Sequence, residues 1–544
     1  MNQILIWMVI GAILRFINLA VKPPWTDEIT TIIYTLGNKY QSLPLNQLIS
    51  LETLLQPLQF NSNAGVSDVI TNLLEEDVHP PVYFVLAHLW TNLFPHHDYA
   101  SIWVARSLPA FLGVLSIPTI YLVAKLVFKS SIIATFSAAM MAVSPYGIFV
   151  AQEARHYSLA VIFVILSLAC FLKAIRCLEN KVNIPLWLVV IWVIINGLGI
   201  ATHYFFSLTL VAEFMALLLT FFLSKNALTK NNFLILTAVA IGTFTSGLIW
   251  LPSFLSNRAS GAHTDWIQSN SSFIAEIFNP IFQALAAWIT MISLLPVEAD
   301  NLAMVIVSGA VMLLFFIWAI PFLLFGIGTA RQKGEFSLET QTLINFVGSA
   351  IALFFFITYF LGLDLTRGAR YNFVYFPGVI FLLGISLAGN WQVSKRQRAK
   401  VMIILLMGFL SSLTVSFNLG YQKYYRPDLL VPIIEKNSSQ TENIVIASTH
   451  QTLAHKGEIM GIAWELRKYN LAEKVEFILV DLDTGNLPQA NVVWEERLGE
   501  KQQEFHLWLV NFSAPVKLDS CSVYEQNYTL VDGYDYQHYI CVSS

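Results

Sequence analysis

Long apolar runs separated by short polar connections dominate the chain. A helix that crosses a bilayer needs about 20 mostly apolar residues. Eleven runs approach or exceed that length and are predicted to be membrane-spanning helices: residues 3–20, 102–128, 131–150, 156–177, 185–201, 204–223, 233–252, 302–328, 342–361, 371–389 and 400–419. A further apolar run, residues 81–94, is only about fourteen residues long, too short for an ordinary span.

The positions of lysine and arginine decide how this short run is interpreted. Positive residues follow the second, fourth, sixth, eighth and tenth runs: Lys125 and Lys129; Lys173, Arg176 and Lys181; Lys225 and Lys230; Arg331 and Lys333; Lys395, Arg396, Arg398 and Lys400. Short loops rich in lysine and arginine stay in the cytoplasm. All five clusters can share that side only if residues 81–94 lie along the interface. We therefore predict eleven spans, a cytoplasmic N-terminus, and outer positions for residues 21–101, residues 253–301 and everything after residue 419.

The last part of the chain has a different pattern. Short apolar stretches at 444–447, 475–480 and 505–512 alternate with polar residues, and a helical pattern covers 457–470. Short strands alternating with a helix are typical of a small α/β domain.

These patterns predict two domains. A polytopic all-α membrane domain covers residues 1–419, with interfacial helices in the first outer loop (21–101) and a second large outer loop (253–301). An extracytoplasmic α/β domain covers residues 420–544.

The composition is typical of a membrane protein and argues against a nucleic-acid-binding protein. The chain is 56% hydrophobic and 12% charged, with a net charge of −4, so we expect no nucleic-acid partner. Four cysteines are present. Cys170 and Cys177 lie in or beside an apolar run and are expected to be ordinary packing residues. Cys521 and Cys541 lie in the tail, where they are either bonded or free depending on the side it faces.

Polar and charged residues collect at connections that the predicted topology places on the outer face. They are Asp27 and Glu28 after the first run; His79 before the interfacial run; Arg106 near the outer end of the second; Glu153, Arg155, His156 and Tyr157 between the third and fourth; His203 between the fifth and sixth; and Arg367, Arg370 and Tyr371 between the ninth and tenth. Their shared side is the strongest functional indication in the sequence.

Acids and cations at one membrane face suit a reaction on a phosphate-bearing lipid. A carboxylate can deprotonate an acceptor hydroxyl, and arginines can bind a phosphate and stabilise it as a leaving group. Asp27 is the best candidate base, because a residue at a helix end is held more rigidly than one in a loop.

Each candidate also has a structural interpretation. Asp27 could be a solvated interfacial carboxylate, and His79 could simply end a loop. Glu153, Arg155 and His156 could be a self-satisfied cluster, Arg367 and Arg370 could be interfacial anchors, and His203 could be a structural residue. Glu213, inside an apolar run, indicates function unless a buried partner or a position near the cytoplasmic edge explains it.

A metal site is conceivable but not demanded. Asp27, Glu28, His79 and Glu153 have side chains that could bind a divalent cation. Their spacing does not require one, so no cofactor is expected to be needed.

At these residues the chain resembles the GT-C membrane glycosyltransferases. The resemblance is to the branch that holds the protein O-mannosyltransferases, the aminoarabinose transferases of lipid A and the bacterial sugar transferases of lipopolysaccharide cores. Five motifs carry it in the family's order: Asp27-Glu28, His79-Pro80-Pro81-Val82-Tyr83, Arg106-Ser107-Leu108-Pro109, Gln152 to Ser158, and the weaker Arg370-Tyr371 with Pro377. They cover the first 210 residues well and the remainder only by hydropathy.

The resemblance implies an inverting hexosyl- or pentosyltransferase. It would move a monosaccharide from a polyprenyl-phosphate donor to a hydroxyl of a lipid, glycan or protein acceptor. By position Asp27 would be the general base, Glu28 its neighbour, Glu153 near the second-loop acid, and Arg370 close to the donor phosphate. Arg155 stands where some branches have an aspartate, which weakens the case for a metal.

Two alternatives to a transferase follow from the same pattern. A transporter or flippase of a lipid-linked saccharide would need charged or helix-breaking residues at mid-membrane in paired halves, whereas these charges sit mostly at span ends. A non-catalytic scaffold would present the outer domain to a partner. For the transferase we expect a multi-pass protein of a bacterial cytoplasmic membrane, in contact with membrane lipids, with its site and tail domain facing the periplasm or exterior.

Overall fold

The structure is a computed structural model. It describes residues 2–40, 43–95, 98–224, 229–252, 273–332, 337–438, 443–482, 504–514, 518, 520–524 and 530–542. By their internal contacts the residues form two compact units. The first unit comprises Met1–Leu19, Asp77–Leu86 and Arg106–Gln422, and the second comprises Ala20–Glu76, Ala87–Ala105 and Lys423–Ser544.

Helices make up most of the first unit and are also present in the second. In chain order they are α1 (Asn2–Phe16), α2 (Thr26–Thr35), α3 (Leu51–Leu55), α4 (Val66–Glu76), α5 (Val82–Thr91), α6 (Ile102–Phe128), α7 (Ser131–Val143), α8 (Pro145–Phe149), α9 (Tyr157–Glu179), α10 (Leu186–Ile200), α11 (Phe206–Ser224), α12 (Lys230–Leu248), α13 (Phe273–Thr290), α14 (Leu302–Gln332), α15 (Ser337–Leu361), α16 (Phe376–Trp391), α17 (Lys395–Ser416), α18 (Pro427–Ser438) and α19 (Leu453–Leu466). Short 3-10 helices cover Gln56–Leu58, Leu365–Arg367, Ala369–Val374 and Ala472–Lys474.

All eleven predicted spans coincide with helices. Within the described residues, six helices are long and apolar enough to cross a membrane, judged by length and composition: Ile102–Phe128, Tyr157–Glu179, Lys230–Leu248, Leu302–Gln332, Leu338–Leu361 and Lys395–Ser416. The other five predicted spans form shorter apolar helices. A polytopic membrane protein is therefore confirmed, and the count of eleven spans stays a prediction.

The helix boundaries depart from the apolar runs at identifiable residues. The run 131–150 is divided because Pro145 cannot continue α7, and a new helix, α8, begins there with the Ser144 hydroxyl accepting from the Gly147 N–H at 3.3 Å. The predicted outer loop 253–301 contains α13, an apolar helix that the hydropathy analysis missed. Residues 253–272 of that loop lie outside the described residues.

Helix α1 ends at Phe16, earlier than the apolar run, beside a buried arginine. The Arg15 side chain is fully buried and donates to the carbonyl oxygens of Met141, at 2.9 Å, and Ala142, at 3.2 Å. These carbonyls belong to the last turn of α7, where cationic side chains can satisfy groups that have no partner in the helix. The arginine thereby attaches α1 to α7.

Helix α16 lies at the centre of the first unit and packs against α7, α9, α14, α15 and α17. Small residues permit this packing. A Cβ atom built on Gly326 of α14 would lie 2.2 Å from the carbonyl oxygen of Ser386, and one built on Gly389 would lie 2.2 Å from that of Gly326. Backbones in membrane bundles approach closely where such residues face each other.

The second unit contains a six-stranded sheet. Its strands are β1 (Ile49–Ser50), β2 (Ile444–His450), β3 (Val475–Asp481), β4 (Phe505–Val510), β5 (Cys521–Val523) and β6 (Tyr536–Cys541). The order is β1-β3-β2-β4-β6-β5, with β2 parallel to β3 and β4 and the remaining pairs antiparallel. The three alternating stretches of the tail form β2, β3 and β4, and the helical pattern forms α19, which begins four residues earlier than predicted.

Most of the first outer loop belongs to this second unit, whereas the sequence grouped it with the membrane domain. Strand β1 forms one edge of the sheet and pairs with β3, with Ile49 opposite Phe477. The Lys456 ammonium of α19 donates to the carbonyl oxygen of Tyr40 at 3.2 Å. The loop and tail thus share backbone pairing, which hydropathy does not encode.

The tail also contains a disulfide between Cys521 and Cys541, which face each other on β5 and β6. Cys170 and Cys177 are buried and free, as expected of packing residues.

Candidate functional site

Four connections meet at one end of the helices of the first unit. They are residues 77–81 before α5, 150–156 before α9, 201–205 before α11 and 362–375 before α16. The predicted topology requires all four to share one membrane face. Two hydrogen bonds to backbone carbonyl oxygens hold them in place. The Val82 N–H donates to the carbonyl oxygen of Ala201 at 3.2 Å, and the side-chain amide of Gln152 donates to the carbonyl oxygen of Ile17 at 3.0 Å.

A hydrogen-bonded series links the first two connections. His79 Nδ1 lies 2.8 Å from Oδ1 of the buried Asp77, and His79 Nε2 lies 3.1 Å from Nη2 of Arg155. An arginine can only donate, so Nε2 accepts and Nδ1 carries the proton that the Asp77 carboxylate accepts. The carboxylate therefore sets the tautomer, and the imidazole orients the guanidinium.

Two more histidines lie next to this series. The ring of His156 is 5.3 Å from that of His79 and 4.5 Å from that of His203, measured between centroids. His156 is fully buried, and among the described residues neither of its ring nitrogens has a hydrogen-bond partner. His203 Nδ1 accepts from the Phe205 N–H at 3.0 Å, which leaves Nε2 as its proton-bearing atom when neutral.

The charges of these side chains favour the binding of an anion. Burial, reinforced by the positive charges of Arg155 and Arg370, lowers the pKa of His203, which lies in the connection between α10 and α11, well below its ordinary value. The imidazole is therefore neutral near pH 7, while both guanidinium groups keep their charge. A phosphate bound here would contact the two guanidinium groups and neutral N–H donors in a partly desolvated environment.

Aromatic rings complete the surroundings. The guanidinium of Arg155 lies 5.8 Å from the ring centroid of Tyr157, and that of Arg370 lies 5.3 Å from that of Tyr371. The Tyr146 hydroxyl donates to the carbonyl oxygen of Arg370 at 2.8 Å and holds that backbone in place. The predicted residues His79, Arg155, His156, Tyr157, His203, Arg370 and Tyr371 thus lie together; we call them the basic cluster.

Three other predicted residues also belong to the first unit. Arg106 is buried and donates to the carbonyl oxygen of Leu19 at 3.0 Å. Arg367 forms an ion pair with Asp364 at 3.5 Å. Glu153 is buried in the same connection as Arg155, whose N–H donates to the Glu153 carbonyl oxygen at 2.6 Å.

Asp27 and Glu28 belong to the second unit, in the first turn of α2. Glu28 is buried, and its carboxylate accepts from the Trp25 N–H at 3.5 Å, as the third helical residue does in a capping box. Asp27 is half-buried, and the Thr31 hydroxyl donates to its carbonyl oxygen at 2.8 Å.

Asp77 is a functional candidate that the sequence analysis did not single out. It follows Glu75 and Glu76 and stands two residues before His79. The sequence did offer one signal for Asp77, its distance of two residues from His79, because a carboxylate two residues from a histidine in a turn can reach the ring.

Among the described residues, no group of three or more His, Cys, Asp or Glu side chains is placed to hold a metal ion.

Residues 78–250, which include most of the basic cluster, match the family described as dolichyl-phosphate-mannose-protein mannosyltransferase. No curated protein matches this chain. The structure is similar to that of ArnT from Cupriavidus metallidurans. The apo form has a TM-score of 0.51 at 10% identity, and the form bound to undecaprenyl phosphate has a TM-score of 0.50 at 11% identity. Each comparison covers 100% of this chain and 98% of the other, and the expected GT-C fold is confirmed.

Proposed function

We propose that this chain is an inverting glycosyltransferase that uses a polyprenyl-phosphate-linked monosaccharide and acts on the outer side of a membrane. The observation that carries the proposal is the basic cluster, in which two arginines and three histidines converge at one end of a helical membrane unit. The family match over residues 78–250 and the undecaprenyl phosphate bound by ArnT support the same class of donor.

The basic cluster binds the donor phosphate in this proposal. Arg155, oriented by His79, and Arg370 contact the phosphate oxygens and stabilise the negative charge that develops as the sugar leaves. When neutral, His156 and His203 each present an N–H donor that adds a hydrogen bond without adding charge. The lipid-facing helices accommodate the polyprenyl chain.

The transfer is a single displacement. A hydroxyl oxygen of the acceptor forms a bond to the anomeric carbon while the bond from that carbon to the phosphate oxygen breaks, which inverts the configuration. Polyprenyl phosphate leaves with the bonding electron pair. The hydroxyl proton passes to a general base, for which Asp27 is our candidate because its carboxylate is fixed in the first turn of a helix. Glu28 supports that turn as its cap.

Two observations support a location of the basic cluster on the outer side of the membrane. The five lysine and arginine clusters share one side in the predicted topology, opposite to the connections that form the basic cluster. The Cys521–Cys541 bond is of the kind that persists in oxidising compartments such as the periplasm. We propose a cytoplasmic membrane with the second unit outside.

The test is transfer by the purified protein in lipid. The protein is incubated with a panel of polyprenyl-phosphate hexoses and pentoses and a crude envelope acceptor, and released polyprenyl phosphate is quantified. We expect release with at least one donor. We expect Asp27→Asn to reduce kcat by at least about 100-fold through loss of the base.

Further variants distinguish donor binding by Arg370 from proton abstraction by Asp27. Arg370→Ala should weaken donor binding, whereas Asp300→Asn, an exposed acid outside the proposed site, should leave transfer unchanged. Full activity in Asp27→Asn would remove Asp27 as the base but leave the class intact. A folded protein that releases no polyprenyl phosphate from any donor in the panel would contradict the proposed function.

A further inference from the structure

A large groove lies among α9, α10, α11 and α12. Its volume is about 960 Å³, within the size range of small-molecule sites. Helix α12 packs on α10, and α11 packs on α9 and α15, so the groove opens between α11 and α12. Exposed rim residues such as Phe214 and Phe244 are apolar, as expected where a groove faces lipid.

The floor of this groove contains a carboxyl group. Glu213 of α11 lines the groove and is only 4% exposed. Its Oε1 atom is buried and has no hydrogen-bond partner among the described residues. Burying such a polar atom without a partner is costly, so its retention at this place requires a reason.

The neighbouring polar residues do not satisfy this carboxyl group. The Ser167 hydroxyl lies 3.1 Å from Oε2 of Glu213 and 3.0 Å from Oδ1 of Asn196. Its single hydrogen can serve only one of the two acceptors at a time. Asn196 in turn donates to the Thr243 hydroxyl at 3.1 Å. The set therefore fixes the position of Glu213, which lines the groove, and leaves one of its carboxyl oxygens without a partner among the described residues.

The depth of Glu213 narrows the choice of ligand. It lies seven residues after the start of α11, which corresponds to about 10 Å along the helix axis. In the predicted topology α11 begins at the outer face of the membrane, which places Glu213 inside the hydrocarbon layer, below the headgroups. A polyprenyl chain carries no polar group there and would leave Oε1 unsatisfied.

We propose that this groove is a binding site for a lipid whose apolar chain carries a hydroxyl group, and that Glu213 hydrogen-bonds that hydroxyl. The chain fills the apolar part of the groove between α11 and α12. The hydroxyl supplies the partner that Ser167 cannot provide in full. The proposal does not depend on glycosyl transfer.

The test uses two photoreactive long-chain probes that differ only by one mid-chain hydroxyl. The full-length protein in lipid is irradiated with each probe, and labelling of α11 and α12 is measured by mass spectrometry. We expect the hydroxylated probe to label the groove about tenfold more, as one additional hydrogen bond to a carboxyl group would give.

Two variants make the result specific. Glu213→Leu removes the hydrogen bond and should bring the ratio between the probes close to one. Leu217→Ala, one turn further along α11, should lower labelling by both probes and leave their ratio unchanged. Melting temperatures of both variants verify folding, and Glu213→Met, an apolar replacement of similar length, takes the place of Glu213→Leu if that variant does not fold.

Three results would overturn the proposal. They are equal labelling by both probes in the native protein, an unchanged ratio in a folded Glu213 variant, and preferential labelling by a probe that carries an amine instead of the hydroxyl. The last result would assign the groove to a cationic lipid.

Discussion

Nε2 of His79 lies 3.1 Å from Nη2 of Arg155, and the proton on the opposite ring nitrogen is donated to Asp77. A neutral imidazole therefore orients one of the two guanidinium groups of the basic cluster. We expect His79→Leu to lower kcat/KM for the donor by about 10–100-fold, the range expected for loss of a hydrogen bond to a charged group.

His79→Gln is the matched control for that variant, because its amide oxygen can still accept from Arg155. Steady-state transfer assays should place it between the native protein and His79→Leu. Equal activity of all three proteins would show that the contact does not orient the arginine.

The lowered pKa of His203 predicts a dependence of stability on pH. In the unfolded chain this imidazole takes up a proton below its ordinary pKa of 6.5, while in the folded protein it stays neutral to lower pH. The unfolded state then binds more protons, so the free energy of unfolding falls as the pH drops below about 6.5.

One imidazole contributes at most about 1.4 kcal/mol per pH unit to this loss. Melting temperatures from pH 5 to pH 8 should therefore fall less steeply on the acid side in His203→Gln than in the native protein. Above pH 7 the two curves should run parallel. Identical slopes on the acid side would contradict the neutral state of His203.

Two glycines on α14 offer a comparison within one helix. A Cβ atom at position 326 would lie 2.1 Å from Nδ2 of Asn390, whereas at position 328 nothing lies within 4 Å. We expect Gly326→Ala to destabilise the protein by about 1–3 kcal/mol through overpacking. Gly328→Ala should be neutral or slightly stabilising because alanine favours the helix. Thermal unfolding in detergent measures both, and similar effects would refute the close approach of α14 and α16.

The disulfide predicts a thiol count. Denatured protein prepared without reductant should react with maleimide at Cys170 and Cys177 alone, and reduction should raise the count to four thiols. Cys521→Ser with Cys541→Ser should destabilise the second unit by about 2–4 kcal/mol. Four reactive thiols without reductant would place the tail in a reducing compartment and contradict the proposed orientation.

The sequence by itself determined the helical membrane class and the strands of the tail. Runs such as 102–128 and 302–328 need no tertiary information, because an apolar segment of that length forms a helix in lipid. The strands at 444–450 and 475–481 follow from short apolar stretches flanked by polar residues. The positions of lysine and arginine predicted that the polar connections share one face of the membrane.

Only the tertiary structure decided which polar residues meet. His79 and Arg155 are 76 residues apart, and their contact depends on how two connections fold against each other. The pairing of Ile49 with Phe477 rests on a strand of two residues, too short to leave a pattern. The approach of Gly326 to Ser386 and the groove beside Glu213 depend on helix packing. Hydropathy records how apolar each residue is, but not which neighbours it will have, because those depend on the whole fold.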